Sequence, residues 1–152
     1  MKGYGSGFVK DWNDYKVGFG SPEDNVFWIG LDRMHELTSS GFYYLEVKLK
    51  RGGQTKTLKW TSFSVGSESN KYRLSVSGFD QGTSGLTDSF SYHSGMYFST
   101  HDRDNDDWYA NCSNEYGKSG WWFKSCKTCD LNYYPEYNGT VYDESNMILK
   151  RK

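Results

Sequence analysis

The sequence predicts an α+β domain, on three observations: a helix-start signal at residue 21, alternating hydrophobicity from Tyr44, and glycine-punctuated loops after Gly78. Ser21-Pro22-Glu23-Asp24 places a serine at the N-cap, proline at the first helical position and acids in the first turn. The helix is expected to run through Phe27-Trp28-Ile29 to about Leu37, with Ser39-Ser40-Gly41 closing it. His35 on this helix reads as a packed or half-exposed side chain. Before it, Asp11–Phe19 reads as a short helix or turn stopped by glycine.

Beyond Tyr44, Leu45, Val47 and Leu49 alternate with Glu46, Lys48 and Lys50, as a half-buried strand requires. Arg51-Gly52-Gly53-Gln54 turns the chain. Leu58, Trp60, Phe63 and Val65 continue as strand material, and Tyr72, Leu74 and Val76 alternate as a further strand. Antiparallel hairpins are the simplest connection between segments this close. After Gly78 the patterning fades, and the last third is expected to be loops pinned by specific devices.

With 152 residues the chain is long enough for one domain with a core of its own. Eighteen Lys and Arg against nineteen Asp and Glu disfavour nucleic acid and anionic lipid as partners. No apolar run reaches the roughly 20 residues of a spanning helix, so no membrane partner is expected. Aromatic residues make up 18%, with six Trp and thirteen Tyr, and serve either a plain aromatic core or a recognition surface. Met1-Lys2-Gly3-Tyr4-Gly5 has no apolar stretch of the signal-peptide kind, although the cysteines point to an oxidising compartment.

The sharpest local feature is His101-Asp102-Arg103-Asp104-Asn105-Asp106-Asp107-Trp108, with four carboxylates inside six residues. Calcium takes six to eight oxygen ligands, and clustered acids become favourable when a cation neutralises them. An EF-hand is excluded by spacing, since Asp107 and Ser113 stand where its Gly and Glu are required. The segment is therefore a solvated acidic loop or a different kind of calcium loop. Zinc is disfavoured, because His101 is the one soft ligand nearby.

A bridge between Cys112 and Cys126 would close a short loop and contribute about 3 kcal/mol. Cys126-Lys127-Thr128-Cys129 has neither a second cysteine pair for zinc nor a strand-then-helix context for redox chemistry. Cys129 is expected to be a free thiol or to bridge to another chain. Asn111-Cys112-Ser113 and Asn138-Gly139-Thr140 are glycosylation sequons. His35, His93 and His101 stand in no nucleophile setting, so no enzyme is expected.

Asp11-Trp12-Asn13-Asp14-Tyr15-Lys16-Val17-Gly18-Phe19-Gly20, Phe27-Trp28-Ile29-Gly30-Leu31-Asp32, Phe98–Asp106, Asn111-Cys112, Gly120-Trp121-Trp122 and Ser125-Cys126 follow one another in an order that resembles the fibrinogen-related domain of fibrinogen chains, ficolins, tachylectins and angiopoietins. The resemblance implies a central twisted antiparallel sheet with short helices and a loop-rich calcium-binding subdomain. It implies a single domain over 3–152 that lacks the usual N-terminal subdomain and part of the C-terminal one.

It further implies a Cys112–Cys126 disulfide and a Ca2+ held by side-chain oxygens of Asp104 and Asp106 and by the carbonyls of Trp108 and Ala110. In lectin-like members an acetyl group sits beside this loop. That pocket maps to Tyr116, Ser125, Cys126 and Lys127, with Lys127 where the family usually has histidine. Asp130-Leu131-Asn132-Tyr133-Tyr134-Pro135 also departs from the family's pocket sequence.

The expected function is that of a secreted, calcium-dependent recognition module. It would bind acetylated sugars in innate-immune-type defence or, in the alternative, a protein ligand; a truncated copy without a ligand is a third reading. A homo-oligomer would add multivalency, although no collagen-like or coiled-coil segment is present.

Overall fold

A computed structural model describes residues 2–3 and 5–152, with side chains from residue 5 onward. Met1 and Tyr4, part of the N-terminal stretch considered above, lie outside the described residues. In chain order the elements are β1 (Lys2–Gly3), α1 (Trp12–Val17), β2 (Phe19–Gly20), β3 (Phe27–Trp28), α2 (Leu31–Ser39), β4 (Tyr43–Arg51), β5 (Gln54–Val65) and β6 (Leu74–Asp80). There follow α3 (Cys112–Glu115), β7 (Cys129–Asp130), β8 (Glu136–Tyr137), β9 (Thr140–Val141) and β10 (Glu144–Arg151).

A seven-stranded antiparallel sheet in the order β2-β3-β1-β10-β4-β5-β6 forms the centre, and β7-β8-β9 make a small second sheet. The expected α+β class holds. Gly52 and Gly53 have φ of 57° and 79° and join β4 to β5 in a two-residue turn with Arg51 opposite Gln54. Leu45, Val47 and Leu49 point to the core, and Lys48 and Lys50 to the outside.

Two expectations need correction. The helix begins at Leu31, with Gly30 as N-cap, and does not begin at Pro22. Ser21–Asp24 is a turn: the Asp24 carboxylate accepts from both the amide and the hydroxyl of Ser21, and the Asp24 amide donates to the Ser21 carbonyl. Phe27 and Trp28 form a strand, with Trp28 opposite Phe19. The second correction lies in the last third, where β10 is an eight-residue strand in the middle of the sheet, between β1 and β4. Its Ser145 and Met147 are buried, and Met147 lies opposite Val47.

The core is aromatic. Trp28, Trp60, Trp121, Trp122, Tyr15, Tyr72, Phe90 and Phe98 are fully buried. Burial of an indole N–H without a partner is unfavourable, so the ring tips are tied to specific acceptors. Trp28 donates to the Tyr15 carbonyl at 3.0 Å, Trp122 to the Tyr72 carbonyl at 2.8 Å, and Trp60 to Asp88 at 3.1 Å. Trp121 Nε1 is the one buried side-chain nitrogen or oxygen without a partner among the described residues. Gly120 sits against the core rings, where an added Cβ would lie 2.7 Å from Tyr15 and 2.8 Å from Phe98.

Candidate functional site

The acidic loop is fastened to the body from several sides. Ser99 bridges to Trp121, and Asn105 reaches back, its amide to Ser99 Oγ and its side chain to the Phe98 carbonyl. Asp102 is not part of the proposed cation set. It accepts from the Trp12 amide at 3.0 Å, satisfying one free N–H at the start of α1, while the Arg103 guanidinium lies 4.5 Å over the Trp12 ring.

Asp104 and Asp106 converge. Asp104 accepts from the Asp106 amide at 3.1 Å, and Asp106 accepts from the amides of Trp108 and Cys112, both at 2.9 Å. Burial pushes the Asp106 carboxyl up to about 6, the Cys112 and Trp108 amides pull it down, and the Asp104 carboxylate beside it adds to the rise. Two like charges this close are the arrangement that a hard cation relieves, so the donor set fits calcium. Among the described residues no cluster of three or more His, Cys, Asp or Glu stands ready for a metal, so further ligands would have to be carbonyls or water.

Cys112 and Cys126 form a disulfide with Cα atoms 5.6 Å apart, which ties α3 to the segment that follows Trp122. Cys129 is a free, fully buried thiol whose pKa is raised by that burial, so it is not placed to bridge to another chain.

Behind the disulfide, His93 is buried, with Nδ1 2.8 Å from the Trp122 carbonyl and Nε2 3.3 Å from the Thr128 amide. The carbonyl accepts and the amide donates, so the ring is neutral with its proton on Nδ1. Burial lowers its pKa to about 4. The histidine that sequence reasoning left without a role therefore braces the chain before and after Cys126.

Next to the bridge lies a cavity of about 400 Å³, lined by Tyr116, Gly117, Lys127, Asp130, Tyr133, Tyr134, Glu136 and Val141. Lys127 is ion-paired with Glu136 and sits 4.9 Å over the Tyr116 ring. Asp130 forms part of the wall; burial raises its pKa to about 7 against the opposing pull of Lys127, the Asn132 amide and Ser119. Tyr133 and Tyr134 meet edge to face, with centroids 4.3 Å apart.

Of the four positions mapped to an acetyl pocket, Tyr116 and Lys127 line this cavity, while Ser125 and Cys126 do not. Sequence reasoning missed Tyr133 and Tyr134 as walls, although a tyrosine pair in a loop was a visible signal. Of the two sequons, Asn138 is exposed, whereas the Asn111 amide nitrogen already donates to the His101 carbonyl.

Comparison with known proteins gives a consistent answer. The family model described as fibrinogen beta and gamma chains, C-terminal globular domain, matches residues 2–150. Human tenascin-R is 45% identical over 125 residues, covering 82% of this chain and 9% of that protein. The chain thus spans about a tenth of that relative's length.

Among solved structures, the fibrinogen-like globe domain of human ANGPTL6 superposes with a TM-score of 0.85 and 31% identity, covering 96% of this chain and 72% of that one. Lamprey fibrin D-dimer, complexed with the peptide Gly-His-Arg-Pro-amide, gives a TM-score of 0.86 at 26% identity over 97% of this chain and 59% of that one. The chain belongs to the fibrinogen C-terminal globular domain family.

Proposed function

We propose that this domain is an extracellular protein-recognition module that takes a peptide segment of its partner into the tyrosine-lined cavity beside the disulfide. The observation that carries the reading is the cavity's chemistry. Tyr116, Tyr133, Tyr134 and Val141 offer apolar and aromatic walls, whose ring faces attract a cation as Tyr116 already does Lys127, while Lys127 and Glu136 neutralise each other. Such a site suits a cationic group flanked by an apolar side chain. The lamprey fibrin relative, solved with a short basic peptide, supports the same class of ligand.

Calcium held by Asp104, Asp106 and the carbonyls of Trp108 and Ala110 would neutralise the acidic loop and stiffen the segment that carries Cys112 toward the cavity. Both nitrogens of His93 are committed to backbone groups, which supports a binding role.

A second reading, binding of acetylated sugars, rests on Tyr116 and Lys127 lining the same cavity. Against it stands the Lys127 ammonium, which is paired with Glu136 and lies over the Tyr116 ring that would face an acetyl group.

The test is selection from a random peptide phage library on the calcium-loaded protein, followed by titration of the enriched peptides. Peptides with a cationic residue beside an apolar one, weakened about tenfold or more by Tyr116→Ala, are expected. Failure to enrich any peptide, together with N-acetylglucosamine binding that Tyr116→Ala abolishes, would replace this reading with the lectin one.

A further inference from the structure

Two recesses run along the C-terminal half of α2 and the ends of β5 and β6. Their volumes are about 620 Å³ and about 500 Å³, and both are lined by Thr38, Ser39 and Ser64, so they adjoin as two sections of a groove. No Asp or Glu side chain lines either part. Arg73 borders one section and Lys152 the other, with His35 in the Arg73 section.

The floor is built of hydroxyls placed by strand register. Ser64 lies opposite Ser75, and Ser62 opposite Ser77, on the adjacent strands β5 and β6. Thr38 joins the helix to this floor: its hydroxyl donates to the Met34 carbonyl and accepts from the Val65 amide.

The donors are largely uncommitted. Arg73 uses Nε on the Gly95 carbonyl at 2.9 Å, which fixes the guanidinium while its two terminal nitrogens stay without a hydrogen-bond partner among the described residues. His35 engages only Nδ1, leaving Nε2 open. The hydroxyls of Ser62, Ser64 and Ser75 and the Lys152 ammonium likewise have no side-chain partner among the described residues, and Phe42, at the Lys152 section, is 81% exposed.

From the Arg73 and Lys152 side chains with no Asp or Glu in the lining, the row of free hydroxyls and an exposed ring at one section, we infer that this groove is a second binding site, for an acidic oligosaccharide. Guanidinium and ammonium groups pair with saccharide-borne sulfate or carboxylate, serine hydroxyls exchange hydrogen bonds with sugar hydroxyls, and Phe42 offers a face to a sugar ring. The site shares no lining residue with the disulfide-side cavity, so a ligand can occupy each independently.

The experiment is calorimetric titration of the full chain with three probes: a heparin hexasaccharide, its fully desulfated N-acetylated counterpart and a hexagalacturonate. The sulfated probe is expected to bind, with affinity that falls as salt rises. Binding of hexagalacturonate as well would identify the recognised feature as any oxyanion, and its failure would narrow it to sulfate; either outcome supports an acidic saccharide.

Arg73→Gln combined with Lys152→Gln should weaken the sulfated probe about tenfold or more, while Lys118→Gln, an exposed lysine outside the groove, should change it less than about twofold. Ser64→Ala with Ser75→Ala should weaken it about threefold. The proposal is overturned if neither acidic probe binds, if the double charge variant binds as the parent does, or if Lys118→Gln weakens binding equally. Competition by an enriched phage peptide should have no effect on the hexasaccharide.

Discussion

Replacing His93 with glutamine should leave the protein folded at neutral pH and change how its stability responds to acid. Glutamine can donate to the Trp122 carbonyl and accept from the Thr128 amide, as the neutral imidazole does. The folded pKa of His93 is lowered to about 4, below the value near 6.5 in the unfolded chain. The unfolded state therefore takes up a proton first. The neutral histidine's contribution is fully present above the unfolded value, declines as pH falls below it, and levels off under the folded value.

Between about pH 7.5 and about pH 4.5 the linkage amounts to about 2.5 kcal/mol. Asp130, whose pKa rises to about 7, acts in the opposite sense, because its folded form holds a proton that the unfolded chain releases. The parent's own pH profile is thus partly cancelled. The difference between parent and His93→Gln removes Asp130 and every other shared group. Urea unfolding of both proteins at the two pH values, in chelator, should show the parent losing about 2.5 kcal/mol relative to the variant. An equal change in both proteins would mean that His93 titrates in the fold as freely as in the open chain, and the bracing of the bridge region would have to be abandoned.

Gly120→Ala should destabilise by about 1–3 kcal/mol, since its methyl would meet the buried rings of Tyr15 and Phe98; thermal unfolding measures the loss. Cys112→Ser with Cys126→Ser should lose about 3 kcal/mol in urea unfolding, because the crosslink spans a separation of 14 residues. Calcium at 100 times its dissociation constant should raise stability by about 2.7 kcal/mol, seen as a higher unfolding temperature that excess chelator reverses. Asp106→Asn should abolish that response, and a parent indifferent to calcium would remove the cation from the loop.

The elements legible in the sequence were those whose signals are local. The β4–β5 hairpin showed its period of two and its Gly52-Gly53 turn, and α1 the glycine that stops it, Gly18 at its C-cap. Ser21-Pro22 misled because a serine followed by proline and acids also suits a turn, and the true start at Leu31 has no side-chain cap to announce it. β10 was hidden for another reason: Ile148 stands on the outward side of the strand and blurs the alternation, and its partners Val47 and Leu49 lie far off in the chain. The acidic loop declared itself through its carboxylates, and the resemblance to the family, carried by the order of motifs, implied the Cys112–Cys126 disulfide. The cavity did not, because Tyr116 and the Tyr133-Tyr134 pair come together only through the disulfide and the small sheet.

The position of β10 has a bearing on how the chain acquires its shape as it is made. Val47 waits for Met147, so the sheet cannot close over its middle until nearly all of the sequence is available. During that interval the β4–β5 hairpin presents an open edge rich in Leu and Val to other nascent chains, the kind of long-range dependence that slows folding and invites aggregation. Lys48 and Lys50, which alternate with the buried residues along that same edge, put positive charge where a stray strand would dock. The lysines of β4 thus protect an assembly line as much as they decorate a finished surface.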